Sequence, residues 1–352
     1  MRDPFLLDPD VVFLNHGSYG ACPASVLEEY RRFQHELERR PVEFLARRLD
    51  GLLGETKAAL AAFVGAEPAD LVLVPNATTG LNAVIRSLRL GPDDEVVTTA
   101  HEYGAIERVW EFVGARLVRA DPGEVVGAFG ARTRAVFVSH VTSPTALVLP
   151  VEEICRAARE AGLLSIVDGA HVPGQLPLDL ASLGADVYAG NCHKWLCAPK
   201  GSAFLWARPE HQAWIEPLVV SWGWSANGSF AERHGWQGTR DPAAFLAVPA
   251  AIEFHRTLDL ERCRRLATET RRRLAQAGFA PLPGTPAPQM VAVELPPGDA
   301  DALQRRLYDE HRIEVVVREW EGRRLLRVSI APYNELEDVE RLLAALEKMP
   351  LG

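Results

Sequence analysis

The chain has 352 residues, 47% of them hydrophobic, and a formal net charge of −9. Its length suits one large domain plus a smaller one, and its acidic balance speaks against a nucleic-acid partner held by bulk charge. No apolar run approaches the roughly 20 residues that span a bilayer, and the opening MRDPFLLDPD lacks the apolar stretch of an export signal, so the five scattered cysteines are expected to be free thiols in a reducing cytoplasm.

Residues 23–64 are predicted to form two helices, with Pro23 near the first start and Leu27, Tyr30, Phe33 and Leu37 at helical spacing. Short apolar runs then alternate with helical stretches. The runs cover 71–74, 96–99, 117–120, 135–138, 163–167, 186–189 and 203–206. Most are apolar on both faces, as buried strands of a mainly parallel sheet are. Intervening segments such as 151–161, with Ile154, Ala157 and Ala158 on one face, complete a βαβ pattern. A long helix over 242–277 and a Pro-rich connector at 281–288 lead to a small α+β region: strand 290–295, helix 300–311, strands 313–317 and 325–329, helix 335–349. The expected division is an N-terminal segment 1–22 on the substrate side, a large α/β domain 23–250 and a small C-terminal α+β domain 251–352.

In such sheets ligands gather beyond the carboxyl ends of the strands, so the residues after each run are the candidates. After 71–74 comes Pro75-Asn76-Ala77-Thr78-Thr79-Gly80, opening a helix. Its hydroxyls and free N–H groups suit a phosphate, and the same residues also serve as a plain helix cap. After 96–99 stands Tyr103, either a ring to lie on a cofactor or an ordinary loop tyrosine; after 135–138 stands His140, either a ligand contact or a turn cap. Asp168 ends the next run and is followed by Gly169-Ala170-His171. A carboxylate at the tip of a buried strand needs a partner. A pyridinium N–H, a following helix or a metal would each serve, and a ring nitrogen kept protonated becomes an electron sink.

After 186–189 comes Gly190-Asn191-Cys192-His193-Lys194-Trp195. Partial burial and a nearby cation would depress the Lys194 pKa and leave an amine able to attack an aldehyde; otherwise its stem packs on Trp195. Cys192, His193 and Cys197 lack a second ligand pair at usable spacing, so no metal is expected. Gly238-Thr239-Arg240-Asp241-Pro242 forms a tight polar turn. Arg327 sits inside an apolar strand, where it pairs either with a substrate carboxylate or with a buried acid. The order of these elements is more informative than any one of them. The chain also lacks a Gly-x-Gly-x-x-Gly after a strand, a Gly-Lys-Ser/Thr loop and a Gly-x-Ser-x-Gly elbow.

These motifs identify the chain as resembling the class V aminotransferase family of pyridoxal 5'-phosphate (PLP) enzymes, within it the isopenicillin N epimerase-like group, with cysteine desulfurases as relatives. The resemblance covers nearly the whole chain. It rests on Asn15–Gly20, Pro75–Gly80, His101-Glu102-Tyr103, Asp168–Gly174 and Gly190–Leu196. It implies a fold-type-I transferase architecture. It also implies that Lys194 carries the cofactor, Asp168 pairs with the pyridine nitrogen and His171 sits near the ring hydroxyl. Thr78, Thr79 and His193 would hold the phosphate. Thr239 would reach the phosphate of a neighbouring subunit, hence a homodimer with shared sites. Arg327 would take the substrate carboxylate, with Gly17 and Ser18 lining the substrate side. Tyr103 would occupy the stacking place that many relatives give to histidine, and His140 the cofactor-side place where relatives carry asparagine. Residues 314–324 contain no cysteine, so persulfide formation of the desulfurase type is not expected.

The implied activity is at Cα of a small amino-acid substrate. Epimerisation is the first reading, with Lys194 as base and Tyr103 as acid for the opposite face. The alternatives are β-elimination from a cysteine conjugate, transamination, and a protein that binds PLP without turnover.

Overall fold

A computed structural model describes residues 4–349; the first three and last three residues of the expected terminal segments lie outside it. All seven runs assigned as strands of the large region are strands: β2 (Leu71–Val74), β3 (Glu95–Thr99), β4 (Arg116–Ala120), β5 (Thr133–Ser139), β6 (Leu164–Asp168), β7 (Val187–Asn191) and β8 (Ala203–Ala207), preceded by a short β1 (Val12–Phe13). They form one sheet in the order β2-β8-β7-β6-β5-β3-β4. The β3–β4, β3–β5, β5–β6 and β6–β7 pairs are parallel, whereas β8 runs antiparallel to both β7 and β2. Only residues 192–202 link β7 to β8, too few for the crossover a parallel neighbour needs. Being antiparallel to β8 in turn, β2 points the same way as β7. One edge of the sheet therefore collects the carboxyl ends of β2, β3, β5, β6 and β7 together with the start of β8. Apolar clusters bury both faces, as the uninterrupted apolar runs required.

The C-terminal strands are β9 (Met290–Leu295), β10 (Ile313–Glu314), β11 (Val316–Trp320) and β12 (Arg323–Ser329). An antiparallel sheet of order β11-β12-β9 has its own core, formed with the helices Leu260–Gln276, Ala300–His311 and Leu336–Lys348. Two expectations are corrected here. The single strand 313–317 is two strands, because β10 pairs in parallel with β1 while β11 pairs with β12, so the chain changes partner at Val315. The single helix 242–277 is three, Ala243–Leu246, Val248–Arg256 and Leu260–Gln276; Asp259 interrupts it by capping the last, accepting the Arg262 N–H at 2.9 Å.

The N-terminal segment is stitched between the two sheets. Val12 and Leu14 belong to the small-sheet core. Next along the chain, His16 meets the Tyr333 hydroxyl at 2.9 Å and the Lys194 carbonyl at 3.0 Å.

Candidate active site

The polar edge of the large sheet encloses a cavity of about 570 Å³. Its wall includes Ser18, Thr78, Thr79, Tyr103, Asp168, His171, His193 and Lys194, so eight of the sequence-derived candidates meet there. The loop carrying Lys194 is gripped by backbone from two sides. Gly20 has φ +70°, and a Cβ there would lie 1.9 Å from the His193 carbonyl oxygen. Gly174 has φ +90°, and a Cβ there would lie 2.5 Å from the Trp195 carbonyl. Only glycine fits either place.

Lys194 is buried, and its Nζ lies 2.9 Å from His171 Nε2. The Trp195 indole N–H donates to His171 Nδ1 at 3.3 Å. Indole can only donate, so Nδ1 is bare and the neutral ring carries its proton on Nε2. Burial, followed by the Lys194 charge, keeps that ring neutral, well below its usual pKa. Nε2–H therefore points at Lys194, which must accept with a lone pair as a free amine. Burial, aided by Arg327 and opposed by Asp168, draws the Lys194 pKa down to about 7, which agrees with that hydrogen-bond logic.

Asp168 closes β6 at the cavity floor. One carboxylate oxygen accepts the Ala170 N–H at 2.9 Å, and the other has no hydrogen-bond partner among the described residues. Burial raises its pKa. A buried carboxylate with one uncommitted oxygen fits a ring N–H.

At the opposite end the helix Ala77–Ser87 points its start into the cavity. Asn191 accepts the Ala77 N–H at 2.9 Å, and Asn76 accepts both the Thr79 N–H at 2.8 Å and the Thr79 hydroxyl at 3.0 Å. Thr78 keeps its N–H and hydroxyl uncommitted among the described residues. The phosphate-type and cap-type readings thus divide between the two threonines: Thr79 caps, and Thr78 is free for an anion. His193 lines the cavity and donates from Nδ1 to the Ser202 carbonyl at 3.2 Å, which leaves Nε2 bare in the neutral ring. Burial lowers its pKa to about 4.

Arg327, on β12, is 1% exposed. It donates to the Ser143 carbonyl at 2.6 Å and hydroxyl at 3.1 Å, and to the Ser18 hydroxyl at 3.1 Å. Ser18 and Ser143 line the cavity, so the guanidinium stands directly behind its wall. Its Nε has no partner, and no acidic side chain pairs with it among the described residues. Of the two alternatives for this residue, a resident acid partner is not found among the described residues. The sequence points to the residues around 318–320 as bearing on substrate specificity, without giving Arg318 a role of its own. Arg318 lies diagonally across from Arg327 on the same face of the small sheet, since Val316 pairs with Arg327 and Arg318 with Leu325. Its Nε is also buried without a partner. Burial and then Arg318 lower the Arg327 pKa to about 9.

The cavity wall of this chain does not include Gly17, His140 or Thr239. Gly17 packs at the junction of the sheets, where a Cβ would meet Met290 and Ser329 at 2.9 Å each. The His140 ring faces the Tyr188 hydroxyl at 3.1 Å, while its backbone N–H, donating to the Asp168 carbonyl at 2.8 Å, supports the floor. Thr239 is exposed in its turn. Sequence reasoning gave no role to Asn76, Asn191 and Ser143; Asn191 ends β7, and Asn76 and Ser143 lie in the loops after β2 and β5, so closeness to a strand end was the available signal.

The class V aminotransferase family model matches residues 13–342. The chain belongs to that family. Isopenicillin N epimerase of Streptomyces clavuligerus is 38% identical, over 99% of this chain and 97% of that one. A putative L-cysteine desulfhydrase of Oryza sativa subsp. japonica is 30% identical, over 96% of this chain and 83% of that one. A solved cystine C–S lyase superposes with a TM-score of 0.83 at 24% identity, covering 97% and 98% of the two chains, and shares the fold. As a family member the chain is a PLP-dependent enzyme of fold type I. Asp168, Lys194 and the free Thr78 donors fit that cofactor's ring nitrogen, aldehyde and phosphate.

Proposed function

We propose that this enzyme epimerises an amino-acid substrate at Cα, in the manner of an isopenicillin N epimerase. One observation carries the reading: Tyr103 enters the cavity wall beyond β3 while Lys194 enters beyond β7, with β6 and β5 between them. Two proton-carrying groups thus reach the same space from separate sides, as inversion requires. The 38% identity to the epimerase over nearly the full chain supports it.

In this reading Arg327, braced by Ser18 and Ser143, holds the α-carboxylate. PLP, when bound, supplies the electron sink that acidifies the Cα–H. Asp168 keeps a proton on the ring nitrogen, and Thr78 holds the phosphate, joined by His193 once the phosphate charge draws a proton onto its Nε2. Lys194 removes the Cα proton from one face, and the Tyr103 phenol delivers one to the other. Tyr103→Phe should lower epimerisation by about 10²-fold or more, with Cα–H exchange into solvent deuterium retained. Full epimerase activity in that variant would remove Tyr103 from this role.

A second reading, C–S β-elimination, is favoured by Arg318. Two guanidiniums without acids on one face suit a substrate with two carboxylates, and a β-elimination needs only one proton-transfer side. Product analysis separates the readings: an inverted amino acid, or ammonia with a keto acid.

We further propose a cytoplasmic homodimer, divided as 1–22, 23–250 and 251–352. Its five cysteines are unpaired, and no described helix is long and apolar enough to cross a membrane. Trp222 is 96% exposed beside Val219 and Val220, and the exposed Thr239 does not serve its own chain's cavity. Both observations suit a second subunit whose phosphate site receives Thr239. Sedimentation as a monomer in the holoenzyme would end that proposal.

A further inference from the structure

The β11–β12 hairpin leaves the small sheet and lands on the loop after β3. Trp320, the last residue of β11, donates its indole N–H to the Ala100 carbonyl at 2.9 Å. Its ring packs on His101, centroids 4.7 Å apart. On the far side, His101 Nδ1 meets the Thr145 hydroxyl at 2.8 Å, and that hydroxyl bonds the Thr142 hydroxyl at 2.7 Å. Thr142 in turn accepts the Leu147 N–H at 2.9 Å, which fixes the turn 142–147. Ser143 lies within that turn and grips Arg327 by both its carbonyl and its hydroxyl. Arg327 is on β12, paired with β11.

The contacts therefore close a ring: hairpin, Tyr103 loop, Ser143 turn, and back to the hairpin through Arg327. Trp320 is where the small-sheet end of that ring fastens to the large one. We propose that Trp320 is a positioning residue for the substrate α-carboxylate, clamping the hairpin that bears Arg318 and Arg327 against the loop that presents Tyr103. This rests on the reading of Arg327 as the carboxylate anchor. A guanidinium displaced by even an ångström loses its alignment with a carboxylate. Without the clamp, β12 still pairs with β9, but the link from the hairpin to the cavity wall then rests on the Arg327 contacts to Ser18 and Ser143.

The test uses holoenzyme and L-alanine, the smallest chiral amino acid, titrated by the change in cofactor absorbance. Trp320→Leu removes both the N–H bond and the ring contact and should weaken L-alanine binding by about tenfold, with Trp320→Phe, which keeps a ring on His101, intermediate. Cofactor affinity should stay within about twofold, because no cofactor contact is lost. Should Trp320→Leu fail to fold, His101→Ala with Trp320→Phe breaks the same link. Unchanged L-alanine affinity in the folded variants would overturn the proposal, as would equal losses of L-alanine and cofactor, the mark of a general structural role. If Arg327→Ala leaves L-alanine affinity intact, or the wild type does not respond to L-alanine, the anchor reading itself fails and takes this proposal with it. Loss in Arg327→Ala with none in Trp320→Leu sinks the clamp alone.

Discussion

The two ends of the cavity are built on opposite principles. At the large-sheet end polar groups already hold one another: Trp195 to His171 to Lys194, Asn76 to Thr79, Asn191 to Ala77. At the small-sheet end the buried Arg327 and half-buried Arg318 share a face with their Nε atoms buried and unpaired, and no acid pairs with either among the described residues. That network holds the large-sheet end in shape while an Asp168 oxygen and the Thr78 donors stay open for the cofactor, whereas at the small-sheet end the unpaired buried donors favour any anion that completes them. The first end is preorganised for a permanent guest, the second for one that comes and goes.

Lys194→Ala should strike hardest. Turnover should fall by more than about 10³-fold, and borohydride should no longer fix the cofactor to the chain. If turnover survived, the large-sheet end would not be the reaction centre. Arg327→Lys keeps the charge and loses the fork, which at about 1.5–3 kcal/mol for a charged hydrogen bond means roughly 10- to 100-fold weaker substrate binding. Cofactor affinity, measured by equilibrium dialysis, should be unchanged. A parallel loss of both would erase the distinction between the two ends.

The pH response sharpens the same contrast. Burial depresses the Lys194 pKa to about 7 from an ordinary 10.5, so between those values the unfolded apo-protein binds a proton that the folded one has released. Stability of the apo-protein should accordingly rise with pH from about 7 toward 10.5 and show no contribution from this group below about 7. Amine-directed labelling of Lys194 in the apo-protein should be half-maximal near pH 7; a midpoint near 10 would mean a solvated lysine. The smallest effect separates the two threonines. Thr78→Val should weaken cofactor binding by about tenfold, the worth of one anion-directed hydroxyl. Thr79→Val should lose only a few tenths of a kcal/mol to about 1 kcal/mol of stability, read by thermal melting, since its N–H still reaches Asn76.

Much of this was legible in the residues. Most strands of the large sheet were readable because strands buried on both faces are apolar throughout, and the cofactor-end residues were readable because each lies at or just past the end of such a strand. Arg327 stood out as a charge in an apolar run. Arg318 was legible only as part of a specificity region around 318–320, since the expected strand ended at 317 and its orientation beside Arg327 depends on cross-strand register. The partner change at Val315 was invisible for a similar reason, because it depends on β1, which lies at the other end of the chain. His140 also follows a strand, and its ring meets Tyr188 of β7, beyond the intervening β6, a partner that no local pattern announces.

That first strand bears on how the protein comes to exist. Asn15 bonds Glu314 across 299 residues of chain, and Val12 lies alongside Ile313. During synthesis β1 leaves the ribosome long before its partner strand has been made. The large sheet contains all its own strands and can close early, but the wall that carries Ser18 cannot settle until the ribosome has passed β10. Contacts of such sequence separation are slow to form. The substrate end of the cavity is therefore the last part of the molecule to be born.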